Sequence, residues 1–372
     1  MELIVDGIVY LYQTNGGISR IFDNILPLMC ELDPNLKVKL FNARSLAKRV
    51  PQHINISQLF LNNWDRSTRP WRLRRKVYSK IHNFILKSLI GDTRGKIWFS
   101  TYYTVPPFNW EGHQIVCAYD FIYELFPSLL PDSATIIPMK KDAILKADAV
   151  ICISYSTAKD LVKYYPLHES KIFVAKPGYN YIFKQRSKEE IRNKINAPFI
   201  LYVGNRNYHK NFGVLLSAYA QWKEHQEVKL IAIGPSWSSD EKNFIKNNKL
   251  SNQVLLLQGI DDDILCDLYN QALAFIYPSL YEGFGLPVLE ALACGCPIVA
   301  SQIASTLEVA NELPFYFKPS DQVGLINALN QAINDGKEIE RIRRGLSIAS
   351  QYSWDRTASK ILEVFKTVSG VN

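Results

Sequence analysis

The chain has 372 residues, 47% of them hydrophobic, which is more than one ordinary core holds; the length favours two domains, each large enough to bury a sheet. There is no apolar run of about 18 residues, and "MELIVDGIVYLYQTNGG" carries acids and a Gly inside its apolar run, unlike a signal peptide, so the chain is expected in the cytoplasm. Net charge is +8 with pI near 9.0, and the excess is localised: Arg66 to Lys87 holds eight Lys or Arg and no acid, interleaved with Trp71, Tyr78 and Phe84.

Anionic lipid headgroups, nucleic acid or plain water all suit such a basic stretch. No helix-turn-helix, finger or RNA-binding signature accompanies it. Nucleic acid is therefore not an expected partner, which leaves a solvated face or a peripheral position at the inner face of an anionic membrane. The six cysteines lie scattered in apolar segments, with no C-x-x-C and no His at ligand spacing. They read as reduced core residues, and Cys294 and Cys296 are the only pair close in sequence.

Short β-branched runs alternate with longer amphipathic ones along the chain, the pattern of parallel βαβ units. The predicted strands of the first half are "ELIVD" from Glu2, "VKLFN" from Val38, "KIWFST" from Lys96, "QIVCAYD" from Gln114, "AVICIS" from Ala149 and "KIFVAKPG" from Lys171. From Tyr179 to Ala197 the pattern lapses into a polar, lysine-rich connector that reads as a linker. A second series comes after it: "PFILYVG" from Pro198, "VKLIAIGP" from Val228, "QVLLLQG" from Gln253, "LAFIYPS" from Leu273, "PIVAS" from Pro297 and "PFYFKP" from Pro314. Two such series imply an α/β chain of two Rossmann-like parallel-sheet domains facing across a cleft, with ligands at the carboxyl ends of the strands.

The richest such end is "SLYEGFGLPVLEALACG", from Ser279. Pro287 suits the first turn of a helix and Gly295 its stop. Backbone N–H groups beside Gly283, Gly285 and Leu286 then face outward at a positive dipole end, which invites an anion. Glu282 lies on the loop and Glu290 in the first turns, where side chains lean back toward the helix start; their carboxylates accept hydrogen bonds from a vicinal diol such as a ribose. "GFGLPV" begins as a dinucleotide fingerprint, G-x-G, yet it lacks the third glycine and a downstream acid. "DDD" from Asp261 contains a D-x-D, but it directly precedes "ILCDLYNQA" and reads as the acidic cap of that helix.

Taken together, "PSLYEGFGLPVLEALACGCPIVAS", "YVGNRNYHKN" from Tyr202, "GIDDDILCDLYNQALAFIYPS" from Gly259, Glu308 with Val309, "GGISR" from Gly16 and "SWDRTASKILEVF" from Ser353 resemble family 4 retaining glycosyltransferases of the GT-B fold. The resemblance covers most of the chain. It implies an N-terminal acceptor-binding domain over residues 1–178, a nucleotide-sugar-binding domain over 179–353, and a C-terminal helix over 354–372 that crosses back to the first domain. Glu290 would hold the donor ribose and Glu282 would lie by the transferred sugar. The segment Gly283, Phe284, Gly285 and Leu286 would meet sugar hydroxyls and phosphate, and Arg206 and Lys210, after Gly204, would grip the diphosphate. Gly16 and Gly17 would let the first domain's backbone approach the donor phosphate.

Where many relatives carry His-Asp, this chain has Tyr119 and Asp120. A tyrosine with a reference pKa of about 10 is a poor proton shuttle, so Tyr119 is assigned to sugar positioning and Asp120 to orientation or structure. The implied reaction is transfer of a hexose with retention, without a protein nucleophile, a cofactor or a metal. The donor is expected to be UDP-glucose or a similar UDP-hexose, then GDP-mannose, and the acceptor a glycan or lipid-linked glycan in polysaccharide synthesis. A nucleotide-sugar hydrolase or epimerase of the same fold, and a basic membrane or nucleic-acid adaptor, are the alternatives.

Overall fold

A computed structural model describes residues 1–12, 16–42, 50–60 and 84–370. The basic stretch from Arg66 lies outside these residues as far as residue 83, so its expected surface role has no structural counterpart here. The chain divides into two compact units, Met1–Pro177 with Trp354–Asn372, and Gly178–Ser353.

The first unit is built on a seven-stranded parallel sheet in the order β3-β2-β1-β4-β5-β6-β7. Its strands are β1 Glu2–Val5, β2 Lys37–Asn42, β3 Ile56–Phe60, β4 Lys96–Ser100, β5 His113–Ala118, β6 Ala149–Cys152 and β7 Ile172–Val174. The central strands are continuous apolar runs because helices cover both faces of such a sheet. Helices α1 (Gly17–Leu32) and α2 (Ser133–Lys146) come after β1 and β5. β3, "ISQLF", is the strand that sequence patterning missed: among the described residues it is a half-buried edge strand paired with β2, so polar residues break its apolar run.

The C-terminal helix, Trp354–Ser369, packs in this unit through an apolar stripe. Phe365 meets Phe99 of β4 edge-on at 5.1 Å, and Thr357 donates 2.7 Å to the carbonyl of Lys176.

The second unit carries a six-stranded parallel sheet in the order β10-β9-β8-β11-β12-β13. Its strands are β8 Phe199–Val203, β9 Lys229–Ile233, β10 Val254–Leu257, β11 Ala274–Tyr277, β12 Ile298–Ser301 and β13 Phe315–Phe317. Its helices include α3 Phe212–Gln221, α4 Ser239–Asn247, α5 Asp262–Gln271 and α6 Leu286–Ala293. In both sheets the strand order reverses beside the first strand, between β1 and β4 and between β8 and β11. The crevice at such a reversal is where doubly wound sheets bind ligands.

The connector after Tyr179, expected to be a linker, is instead tied down on α5. Arg186 donates 2.6 Å to both Asp263 and Asp267, and fully buried Asp267 also accepts from the backbone N–H groups of Arg192 and Asn193 and from the Asn193 side chain. Asp261 caps α5 by accepting from the Ile264 N–H at 2.9 Å, as its sequence position suggested. All six cysteines are buried and free. The pair that meets is not Cys294 with Cys296, separated by the left-handed turn at Gly295 (φ +66°), but Cys294 with Cys266, 3.8 Å apart across α5 and α6.

Burial opposes ionisation of Asp267, but its hydrogen bonds and Arg186 outweigh it and hold the carboxyl below the usual range. A depressed folded pKa means that this contribution is complete above the unfolded value of about 4 and is lost as pH falls from there through the lowered folded value. Asp267→Ala leaves a buried guanidinium and several N–H groups short of partners, which is expected to cost about 3 kcal/mol or more. Urea unfolding at pH 7 should register that loss, and the gap between the two proteins should narrow below pH 4.

Candidate active site

The loops after β8 and β11 leave the sheet on either side of the strand reversal, and a backbone and a side-chain hydrogen bond stitch them together. Leu280 donates its N–H to the carbonyl of His209 at 2.7 Å, and the Asn211 amide reaches the carbonyl of Pro278 at 3.0 Å. Asn211 adopts the left-handed conformation (φ 53°), which ends the short turn Tyr208–Lys210 and starts α3.

That stitching brings two predicted site residues into contact. Lys210 Nζ lies 2.7 Å from Glu282 Oε1, and the same oxygen accepts from Ser279 Oγ at 2.6 Å. Ser279 is buried, whereas Lys210 and Glu282 keep 19% and 10% of their side chains exposed, enough for the pair to meet a ligand. Burial first, and the neighbouring Glu282 carboxylate second, push Tyr277 far above its ordinary pKa.

Beyond Glu282 the chain turns through Gly285, whose φ of +128° requires glycine, into α6. The helical ladder opens with the N–H groups of Val288 and Leu289, both directed to the Gly285 carbonyl. Phe284 is buried edge-on against Tyr352 at 5.8 Å, so it anchors the turn from below. Glu290, the fifth residue of α6, is buried and accepts from the Tyr269 hydroxyl at 3.3 Å. Burial raises Tyr269 well above its usual range, with Glu290 adding to the effect.

Arg206 takes a different direction from Lys210. After Gly204 (φ +138°), its guanidinium folds over Trp237 at 4.5 Å, donates from Nε to Glu241 at 2.7 Å, and donates from Nη2 to the carbonyls of Pro235 and Ser236. Its side chain is 4% exposed.

Gly16, Gly17, Tyr119 and Asp120 belong to the other unit. Gly16 caps α1 with an extended backbone, Gly17 is the first helical residue, and the Gly16 N–H reaches Ser19 Oγ at 3.2 Å. Tyr119, assigned to sugar positioning, lies in the core: its hydroxyl donates to the Thr101 carbonyl at 2.8 Å, and burial pushes it far above the ordinary tyrosine range. Asp120 accepts from the Ile122 N–H at 3.2 Å, a turn-forming bond. Nearby, buried Lys140 of α2 bonds Glu124 and the Asp120 carbonyl; burial lowers its pKa against the pull of those acids.

Ser279, Tyr277, Tyr269 and Glu241 were missed by sequence reasoning. The first two carried a signal, since a polar group directly before or inside a loop with a buried acid is a natural partner for it. The last two carried none, because their partners are distant in sequence.

This fold is that of GT-B glycosyltransferases. Sucrose-phosphate synthase from Thermosynechococcus elongatus superposes with a TM-score of 0.77 at 17% identity, covering 100% of this chain and 99% of that one. Residues 183–345 match the family described as glycosyl transferases group 1. By sequence, O-antigen chain mannosyltransferase B of Escherichia coli is 24% identical over 89% of this chain and 90% of its own. O-antigen chain mannosyltransferase RfbU of Salmonella typhimurium is 24% identical over 78% of each.

The Lys210–Glu282 contact lies inside the matched stretch and is short and partly enclosed, so the two residues should be energetically coupled. A double-mutant cycle of Lys210→Ala and Glu282→Ala on urea unfolding is expected to give a coupling of about 0.5–3 kcal/mol. Additive losses would contradict the pairing.

Proposed function

We propose that the protein is a retaining hexosyltransferase that moves mannose from a nucleotide sugar to a glycan or lipid-linked acceptor in polysaccharide synthesis. The observation that carries this reading is the convergence of Lys210, Glu282 and the Gly285 turn at the strand reversal of the second unit, within the family-matched stretch. UDP-glucose stood first among donors on sequence grounds. The two mannosyltransferases of Escherichia coli and Salmonella typhimurium span most of this chain, which favours mannose and hence GDP-mannose as donor.

In this reading Glu290, held by Tyr269, takes the donor ribose. Glu282 lies by the transferred sugar, where Ser279 holds its carboxylate. The acceptor hydroxyl attacks the anomeric carbon from the side on which the diphosphate departs; the bond from that carbon to the phosphate oxygen breaks, and the hydroxyl proton passes to the departing phosphate. Negative charge grows on the leaving group, and preorganised donors aimed at it lower the barrier. Lys210, Arg206 and the amides of the Gly283–Leu286 turn supply those donors, so the reading requires no metal. At about 4 Å and an effective dielectric of about 20, each cation contributes on the order of 4 kcal/mol before desolvation.

Lys210→Ala and Glu282→Ala should each retain the circular dichroism of the unaltered chain and lose transfer at least about a hundredfold. A chromatographic product assay with GDP-mannose and lipid-linked acceptor, with and without EDTA, measures this. Free mannose released without acceptor would instead indicate a hydrolase, and undiminished transfer in either variant would contradict the site.

A further inference from the structure

An arginine has five N–H donors in one plane. In Arg206, Nε donates to Glu241 Oε1 at 2.7 Å, and Nη2 donates to the carbonyls of Pro235 and Ser236 at 2.7 and 2.8 Å. Nη1 is enclosed and has no hydrogen-bond partner among the described residues. A buried guanidinium nitrogen without an acceptor leaves one donor that a ligand anion could engage.

Its location is informative. A methyl group built on Gly234 would lie 3.0 Å from Arg206 Nη1 and 2.2 Å from the Gly204 carbonyl. Nη1 therefore sits over the two glycines that directly succeed β8 and β9, at the carboxyl ends of neighbouring central strands, where this class of sheet places its ligands.

The guanidinium has little freedom to point elsewhere. Trp237 and Phe212 lie against it, with ring centres 4.5 and 5.6 Å from its central carbon, while Glu241 and the two carbonyls hold its edge. Glu241 divides its carboxylate between two tasks. Oε1 takes Arg206, and Oε2 accepts the Ser238 N–H at 2.7 Å; Ser238 Oγ in turn accepts the Glu241 N–H, closing a capping box at the start of α4.

We propose that Glu241 is a positioning residue that never touches the donor but holds Arg206 so that Nη1 faces a phosphate of the nucleotide. This rests on the reading of the second unit's strand reversal as a donor site. An acid so near a bound phosphate is electrostatically unfavourable, and the orientation it imposes on Arg206 must outweigh that repulsion. The same logic makes Gly234 a residue that tolerates no side chain.

The test is calorimetric titration of UDP and GDP into the unaltered chain, Glu241→Ala, Glu241→Gln, Ser238→Ala, Arg206→Ala and the Arg206→Ala/Glu241→Ala double variant. Glu241→Ala should raise Kd for the bound nucleotide about tenfold, Glu241→Gln should restore part of it through its remaining acceptor, and the double variant should bind no worse than Arg206→Ala alone. Ser238→Ala, which weakens the cap but leaves the Arg206 contact, should lower Tm and leave Kd unchanged. Wild-type affinity in Glu241→Ala, an equal loss in Ser238→Ala, or additive losses in the double variant would each overturn the proposal while leaving the donor site standing. Failure of the unaltered chain to bind either nucleotide would overturn the donor-site reading and this proposal with it.

Discussion

Everything proposed for this protein depends on the reversal of strand order between β8 and β11. These strands are neighbours in the sheet although about 70 residues separate them, and their loops must turn outward in opposite directions. The chain closes that gap with one backbone bond, from Leu280 to His209, and one side-chain bond, from the Asn211 amide to the Pro278 carbonyl. Once the loops are tied, the Lys210 ammonium and the Glu282 carboxylate have almost no choice but to meet.

The first unit reverses in the same way between β1 and β4, and it too places a carboxylate there. Asp6 comes directly after β1 and accepts from the Ile8 and Thr101 N–H groups and from the hydroxyls of Ser100, Thr101 and Thr104. No cation is among these partners, and burial raises its pKa in spite of the hydrogen bonds. Glu282 differs in having a lysine on it. The second unit thus keeps a charged, partly exposed pair at its reversal, while the first ties its acid into neutral donors that join β1 to β4.

Most of the fold was legible because buried parallel strands are apolar on both faces and stand out from polar connections. The turn around Gly285 was legible for a related reason: a positive φ, a proline in the first turn and a glycine at the helix stop are local demands that single residues reveal. β3 was lost because an edge strand need not be apolar. The connector's attachment to Asp267, the meeting of Cys266 with Cys294 and the clamp of Glu241 on Arg206 were lost because each joins residues that are adjacent only after folding. Tyr119 was legible as a departure from a familiar pattern, but its hydroxyl is spent on Thr101 inside the core, which sequence spacing does not reveal.

The central claim is that the strand reversal of the second unit is a nucleotide-sugar site, and thermal unfolding with UDP, GDP, ADP and their hexose conjugates tests it most directly. A ligand at about a hundredfold its dissociation constant adds ~2.7 kcal/mol of stability, well within reach of such a measurement. The account predicts that guanine nucleotides raise Tm, that EDTA leaves the shift unchanged, and that Lys210→Ala removes most of it. No shift with any nucleotide, or one that survives intact in Lys210→Ala, would contradict it.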